Sequence, residues 1–237
     1  MNILITGATG FIGSSIKEKF AGEHSIKTIR IDSRTDLTEL NNLIDNATHI
    51  FHCSSVTRSD AEDDYFEVNF EINTRLYLLL QSKVNKTIFV FSSIHYFSDS
   101  IYGIGKRYTE FLYSKLSEHN KVFINRLPGI FGETAKVNYV SVVSTFTYGI
   151  KYGVDVSIIN PEKRLTLLSV NDLLRSLSEQ INQYVSVRNG VFVKDGYDDS
   201  FDISVGELHS LILNFRNDKN MSLNESQKKL FSVYNKI

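Results

Sequence analysis

Apolar residues enter the chain as a short continuous run, Ile3, Leu4 and Ile5, and then as Ile12, Ile16 and Phe20, spaced four apart. A continuous run reads as a strand buried on both faces, and a spacing of four reads as one face of a helix. The exchange recurs. Residues 26–31 alternate and predict a second strand, Leu37, Leu40 and Ile44 predict a short helix, and a third strand follows at 48–53. Val68, Ile72, Leu76 and Leu79 mark a long helix over 65–83. Thr87 to Ser93 is again nearly continuous, and the helix after it carries Tyr102, Lys106, Phe111 and Leu112 before a strand at 122–126. Strands alternating with helices predict a doubly wound α/β fold, a parallel sheet with helices on both faces.

Beyond Leu127-Pro128 the rhythm is less regular. Helical patterns at 140–152, 171–184 and 206–217 are separated by strand candidates at 154–159, 165–170 and 190–193. We expect a single unit in which 1–128 is mainly a nucleotide-binding part and 129–237 mainly a small C-terminal α/β substrate-binding lobe. No internal repeat or low-complexity linker interrupts it.

Composition narrows the choice of partner. The chain has 237 residues, 42% of them hydrophobic, enough for one well-filled core. A net charge of -1 gives no reason to expect nucleic acid or an anionic membrane as partner. No apolar stretch approaches a membrane span, and a first strand at residue 2 leaves no room for a signal peptide, so a cytoplasmic location is expected. The single Cys53, set in an apolar run, excludes an internal disulfide framework and reads as a packing residue. The six histidines show no metal-ligand spacing, and no metal is expected.

Candidate chemistry begins at the first turn. Gly7, Gly10 and Gly13 follow the first strand at three-residue intervals and lead into a helix, the context that a dinucleotide fingerprint requires. The first glycine permits the tight turn, the second lets backbone approach a pyrophosphate, and the third lets helix pack on strand. Free amides at the helix start complete an anion site. Thr9, Phe11 and Ile12 lie in the same turn and are assigned with it to the cofactor. The second strand ends at Asp32, Ser33 and Arg34, where a Rossmann unit meets the adenosine ribose. Asp32 suits the 2′-hydroxyl of NAD, whereas Ser33 and Arg34 suit the 2′-phosphate of NADP.

Tyr102 and Lys106 are four apart, so on a helix both side chains leave one face. A phenol becomes a usable acid or base near neutrality when a neighbouring ammonium favours the phenolate. Tyrosine and lysine meet at this spacing on many ordinary helices, and it is Ser93 that gives the pair weight. Ser93 ends a strand at the carboxyl edge of the predicted sheet, where ligands bind in open α/β folds, and its hydroxyl could donate to a substrate carbonyl. His95, just past it, reads as a loop residue with contact to the substrate as the alternative.

The glycine fingerprint, the strand-terminal serine and Tyr102-Gly-Ile-Gly-Lys106 together resemble the short-chain dehydrogenase/reductase superfamily, above all its extended branch, which acts on nucleotide sugars. The resemblance implies that Asp36 and Leu37 contact adenine and that His52 to Val56, with Cys53, Ser54 and Ser55, form a strand end near the cofactor. It places Asn69 as the branch's helix asparagine and Arg126 to Gly132, with Leu127, over the nicotinamide. Arg164, followed by Val170-Asn-Asp172, resembles the arginine that meets the sugar nucleotide's phosphates. The likeness extends to the reductase part of capsular-polysaccharide enzymes that reduce a UDP-linked 4-keto-6-deoxy-hexosamine, carried by Arg58, by Asn138-Tyr139 with Phe146-Thr147-Tyr148, and by Arg164-Leu-Thr-Leu-Leu. Arg58, Ser93, His95, Asn138 and Arg164 are thus the expected substrate contacts. Those enzymes continue into a C-terminal cupin barrel that would begin where this sequence stops at Ile237, so a free-standing reductase or an excised module is expected. Cys53-Ser54-Ser55 also replaces the more common Leu-Ala-Ala/Gly.

The expectation is therefore an oxidoreductase that moves hydride from NAD(P)H to a keto group, at C4, of a nucleotide-diphosphate 4-keto-6-deoxy sugar in surface-polysaccharide precursor synthesis. Tyr102 is the acid, Lys106 its electrostatic partner and ribose ligand, and Ser93 the carbonyl donor. The capsular reductases use NADPH, which with Arg34 favours NADP(H) and leaves NAD(H) open. A nucleotide-sugar epimerase of the same branch is the nearest rival. A dehydratase would need an acidic pair that Ser93-Ile94-His95 lacks, and a cofactor-sensing regulatory protein would have no need of a tuned phenol. A homodimer is left open.

Overall fold

The computed structural model describes residues 1–32, 34–55, 67–137, 141–217 and 221–237. The chain forms two compact units, Met1–Leu127 with Ser178–Gly196, and Pro128–Leu177 with Tyr197–Ile237. The first unit opens with β1 (Asn2–Thr6), α1 (Phe11–Phe20), β2 (Ser25–Ile29), α2 (Leu37–Asn46) and β3 (His49–His52). A π-helical turn, Glu67–Glu71, leads into α3 (Ile72–Leu80), followed by β4 (Thr87–Ser93), α4 (Ile101–Ser114) and β5 (Lys121–Leu127). A later strand, β8 (Gly190–Asp195), returns to complete the sheet. All six strands pair in parallel in the order β2-β1-β3-β4-β5-β8, the Rossmann-like α/β architecture that the alternating pattern predicts.

Continuous apolar runs work here because the central strands are covered on both faces. Leu4, Ile50, Ile88, Val90, Val122 and Ile124 face Leu40 and Ile44 of α2, Ile72 and Leu76 of α3, and Leu112 and Tyr113 of α4. Alternate residues point the other way and build an aromatic ladder. Phe51, Phe89, Phe123 and Phe192 are in register on β3, β4, β5 and β8, with ring centroids 4.5, 4.7 and 5.0 Å apart. Phe20 of α1 extends the ladder at one end, 5.8 Å from Phe51.

The chain runs outward from β1 to the edge strand β2, then crosses back to β3 on the other side. This reversal opens a crevice beyond the carboxyl ends of β1 and β3, the place where open α/β sheets take ligands. The first turn, the segment after β3 and the end of β4 all lie at that edge.

The second unit contains β6 (Gly129–Phe131), α5 (Val142–Tyr152), β7 (Arg164–Ser169), the start of α6 (Val170–Gln183), β9 (Phe201–Ser204), α7 (Val205–Asn217) and α8 (Glu225–Lys236). Its three strands form a sheet in the order β6-β7-β9, the last pair antiparallel. Phe131, Phe146, Ile150, Leu208, Ile212, Phe215 and Leu230 are among the residues of its own core. The predicted strand at 154–159 does not form. Val156 and Ile158 turn inward onto this core, which accounts for the alternation, but the segment pairs with no strand. Among the described residues no helix is long and apolar enough to cross a membrane.

The aromatic ladder yields a stability test. Phe89 is fully buried with a ring stacked on each side. Phe89→Ala should lower the unfolding free energy by roughly 3–5 kcal/mol in urea titrations, the usual cost of deleting a buried aromatic ring. A loss under about 1 kcal/mol would show that the ladder is not a core element.

Candidate active site

The first turn is shaped by contacts that only glycine allows. Gly7 has φ of 69°, and a Cβ there would come within 2.7 Å of Ser54 N and 2.8 Å of the Cys53 carbonyl carbon. A Cβ on Gly13 would run into the Gly7 carbonyl. Gly10 is different. Its amide donates to Gly7 O at 3.0 Å, and a Cβ would meet only that oxygen, at 3.3 Å. Gly10 is the N-cap of α1 and provides no side-chain cap, so the first amides of the helix are left for another acceptor. A cleft beside this turn is lined by Gly7, Ala8, Thr9, Thr28, Ile29, Arg30, Ile31 and Ser54. These features fit a dinucleotide, with a pyrophosphate at the helix start and an adenosine toward the end of β2.

At that end Asp32 is already engaged. Its Oδ1 accepts from the Arg34 amide at 2.9 Å, its Oδ2 pairs with Arg30 Nε at 3.4 Å, and its amide donates to Thr35 Oγ1 at 2.8 Å. Ser33 lies outside the described residues. Asp36 caps α2, accepting from the amides of Thr38 and Glu39 at 2.7 and 3.4 Å, and Leu37 is exposed at the helix start. Arg30 lines the cleft and was not singled out by the sequence. Its signal there was only a charge near a strand end.

Ser93, Tyr102 and Lys106 do come together. Ser93 is buried at the end of β4, where its Oγ accepts from the His95 amide at 3.1 Å and lies near enough to the Tyr102 phenol to act on its titration. Helix α4 starts late enough, with Ser100 as its cap, to bring Tyr102 back beside Ser93. One turn on, Lys106 lies with Nζ 5.5 Å from the centre of the Tyr102 ring. The lysine is buried and donates to Ser55 Oγ at 2.9 Å and to Phe91 O at 3.0 Å.

The titration behaviour differs in one respect from the sequence expectation. Burial raises the Tyr102 phenol above its ordinary value, with the neighbouring Ser93 hydroxyl pulling partly back. The expected lowering by Lys106 does not appear: the cost of taking the phenolate out of water dominates, and Ser93 is the group that opposes it. Burial also draws Lys106 down to about 8, opposed by the charge of Glu110. The centre therefore holds a protonated phenol, which suits proton donation.

Ser55 continues inward. Its hydroxyl donates to Asn69 Oδ1 at 3.0 Å, Asn73 Nδ2 donates to Asn69 O at 2.9 Å, His52 Nε2 donates to Asn73 Oδ1 at 3.1 Å, and Thr6 Oγ1 donates to His52 Nδ1 at 2.7 Å. Burial pushes His52 down to about 4, so it stays neutral and one ring nitrogen donates while the other accepts. Asn69 sits in the π-helical turn before α3, a distortion common at functional sites. Thr6 and Asn73 were missed by the sequence, and His52 was read only as the start of a strand end near the cofactor, although two asparagines four apart on an otherwise apolar helix face were a visible sign.

The remaining candidates are more scattered. Burial pushes the Cys53 thiol up, so it stays protonated. Ser54 lines the cleft, Leu127 is buried at the end of β5, and His95 is exposed beyond Ser93. Phe11 and Ile12 begin α1. Arg58 and Asn138 lie outside the described residues. Arg164, in the second unit, is exposed and pairs with Glu207 at 3.3 Å.

Residues 3–175 match the model of the NAD dependent epimerase/dehydratase family. The chain belongs to this family. Within it, a UDP-2-acetamido-2,6-beta-L-arabino-hexul-4-ose reductase of Pseudomonas aeruginosa is 29% identical over 222 residues, 92% of this chain and 59% of that protein. The capsular polysaccharide assembling protein CapF of Staphylococcus aureus superposes with a TM-score of 0.79 at 28% identity, covering 100% of this chain and 65% of that one. The chain thus spans about three fifths of the length of these two relatives, and they bear out the likeness to capsular reductases read from the sequence. A UDP-N-acetylglucosamine 4-epimerase of Methanobrevibacter ruminantium shares the fold, with a TM-score of 0.81 at 15% identity. Nicotinamide dinucleotides are the cofactors of the family.

The glycines separate binding from folding. Gly10→Val should leave the melting temperature within a few degrees of the original while weakening binding of reduced dinucleotide at least tenfold, read by cofactor fluorescence. Gly13→Ala should instead lower the melting temperature, because its Cβ meets backbone. Unchanged affinity in the valine variant would contradict the assignment of this turn.

Proposed function

We propose that the chain is an NAD(P)H-dependent reductase that converts the C4 ketone of a nucleotide-diphosphate 4-keto-6-deoxy sugar to an alcohol, in the making of a surface-polysaccharide precursor. The observation that carries this reading is the buried Tyr102 phenol, set beside Ser93 with Lys106 one turn away, in a chain 29% identical to a UDP-sugar 4-ulose reductase. When bound, the reduced nicotinamide supplies hydride to the ketone carbon. Ser93 donates a hydrogen bond to the ketone oxygen and fixes its position. Tyr102 passes its proton to that oxygen as the alcohol forms, and the ammonium of Lys106 stabilises the phenolate left behind. Ser55 and Phe91 O hold the ammonium in place.

For the cofactor we favour NADP(H), with Arg34 at the 2′-phosphate and Arg30 close by in the cleft wall. Pairing with Arg30 and the Arg34 amide blunts the repulsion that a free Asp32 would exert on that phosphate. We assign Arg164 to the diphosphate of the substrate, where a guanidinium fork suits two phosphates, and Arg58, His95 and Asn138 to its sugar. The reading carries with it a cytoplasmic location.

The short path after β2 supports reduction over epimerisation. Only residues 30–36 join β2 to α2, and among the described residues no strand extends the sheet beyond β2. So short an adenosine clasp suits a cofactor that exchanges each turnover, whereas an epimerase must retain its dinucleotide through two hydride transfers.

Purified protein given a UDP-linked 4-keto-6-deoxy hexosamine should oxidise one NADPH per sugar, with kcat/KM higher for NADPH than for NADH. Tyr102→Phe should slow this by about 10²–10⁴, the contribution of a positioned general acid. Tightly bound NAD⁺ and interconversion of two sugar epimers without net cofactor use would overturn the reading in favour of an epimerase.

A further inference from the structure

Helix α4 carries a third ionisable residue on the face of Tyr102 and Lys106. Glu110 follows Lys106 by four, and its side chain is only 12% exposed. Its Oε1 accepts from Ser92 Oγ at 2.5 Å and from Arg126 Nε at 3.0 Å, while Oε2 accepts from Arg126 Nη2 at 2.8 Å. Ser92 and Arg126 are register neighbours on β4 and β5, and Arg126 and Asp195 are neighbours on β5 and β8. Arg126 Nη1 donates to Asp195 Oδ2 at 2.9 Å, and its guanidinium lies 3.5 Å from the centre of the Tyr96 ring. Tyr96 belongs to the turn Ile94–Phe97, which Ser93 caps. One carboxylate thus ties α4 to the ends of β4 and β5 and, through the arginine, to β8 and to the turn that follows Ser93.

The same carboxylate bears on Lys106. The groups facing the lysine from β3 and β4 are neutral, namely Ser55, His52 and the Phe91 carbonyl, and so is Tyr102 on its own helix. Among the described residues, Glu110 is the carboxylate whose charge favours the ammonium, though Arg126 offsets part of its field. A bidentate pair this sheltered has a fixed geometry, unlike an exposed ion pair held by two mobile side chains.

We propose that Glu110 is a positioning residue of this centre, which fixes the Ser92-Ser93 strand end and the Tyr96 turn against α4 and supplies the counter-charge that keeps Lys106 an ammonium. Its consequence for catalysis rests on the reductase reading, but its effect on Lys106 does not. A phenolate forming at Tyr102 needs a cation one turn away, and a lysine already drawn down to about 8 by burial has little margin at neutral pH. Removing the Glu110 charge lowers the pH at which Lys106 loses its proton. The alkaline limb of kcat/KM, where the ammonium is lost, then moves to lower pH.

The test follows the Lys106 side-chain carbon resonance against pH in the full chain labelled with ¹³C-lysine, assigned by its loss in Lys106→Arg. Glu110→Gln should lower the midpoint by about one unit, in the range of a neighbouring opposite charge, and shift the alkaline limb of kcat/KM down with it. Glu110→Asp keeps Arg126 paired and should give a smaller drop in the same direction, which covers the case in which the glutamine variant does not fold. An unchanged Lys106 midpoint in a folded variant, with only the melting temperature lowered, would overturn the proposal and leave Glu110 a structural residue. If the unaltered protein fails to reduce any keto sugar, the functional reading falls while the Lys106 titration still decides the role of Glu110.

Discussion

The closeness of Gly7 to the end of β3 is the constraint on which the rest of the site depends. With no side chain at Gly7, the turn after β1 can lie against the backbone of Cys53 and Ser54. That contact sets the cleft wall, which Ser54 and Thr9 both line. Ser55, the next residue, reaches Lys106, and Lys106 lies one turn from the phenol set beside Ser93. Gly7, the segment Cys53-Ser54-Ser55 and Lys106 therefore link the candidate anion-binding turn to the surroundings of Tyr102 and Ser93. A larger residue at Gly7 would have to move β3, and with it the hydrogen bonds that hold the lysine.

Burial then decides the chemistry. A lysine and a tyrosine on a solvated helix would titrate near their ordinary values. Here desolvation raises the phenol and lowers the ammonium, pushing each toward its neutral form, so the phenol keeps a proton to give and the lysine holds its charge with little margin. The polar chain from Ser55 through Asn69 and Asn73 to His52 and Thr6 satisfies the groups that the sheet would otherwise bury unpaired. Neutral His52 adds no second positive charge beneath Lys106.

Much of this was legible in the sequence wherever a feature depends on near neighbours. The glycine turn, the buried strands β1 and β4, and the Tyr102-Lys106 face of α4 all follow from spacing over a few residues. Features that depend on distant pairing were not legible. Strands β6 and β9 are short and exist through their ladder with β7, while residues 154–159 alternate correctly but have no strand to pair with. Arg126 was read as part of a segment over the nicotinamide, yet its partners Glu110, Asp195 and Tyr96 appear only once the register of β4, β5 and β8 is known. The lowering of the tyrosine by its lysine was expected from charge alone, and burial outweighs it.

In the proposed reaction hydride reaches a ketone carbon while this buried phenol supplies the proton. The most direct test uses reduced dinucleotide carrying deuterium at the reducing carbon of the nicotinamide, incubated with a UDP-linked 4-keto-6-deoxy hexosamine and the protein. Mass spectrometry and NMR should find a single deuterium on the former ketone carbon, with one dinucleotide oxidised for each sugar reduced. A sugar product without deuterium, formed while the dinucleotide remains reduced, would contradict it.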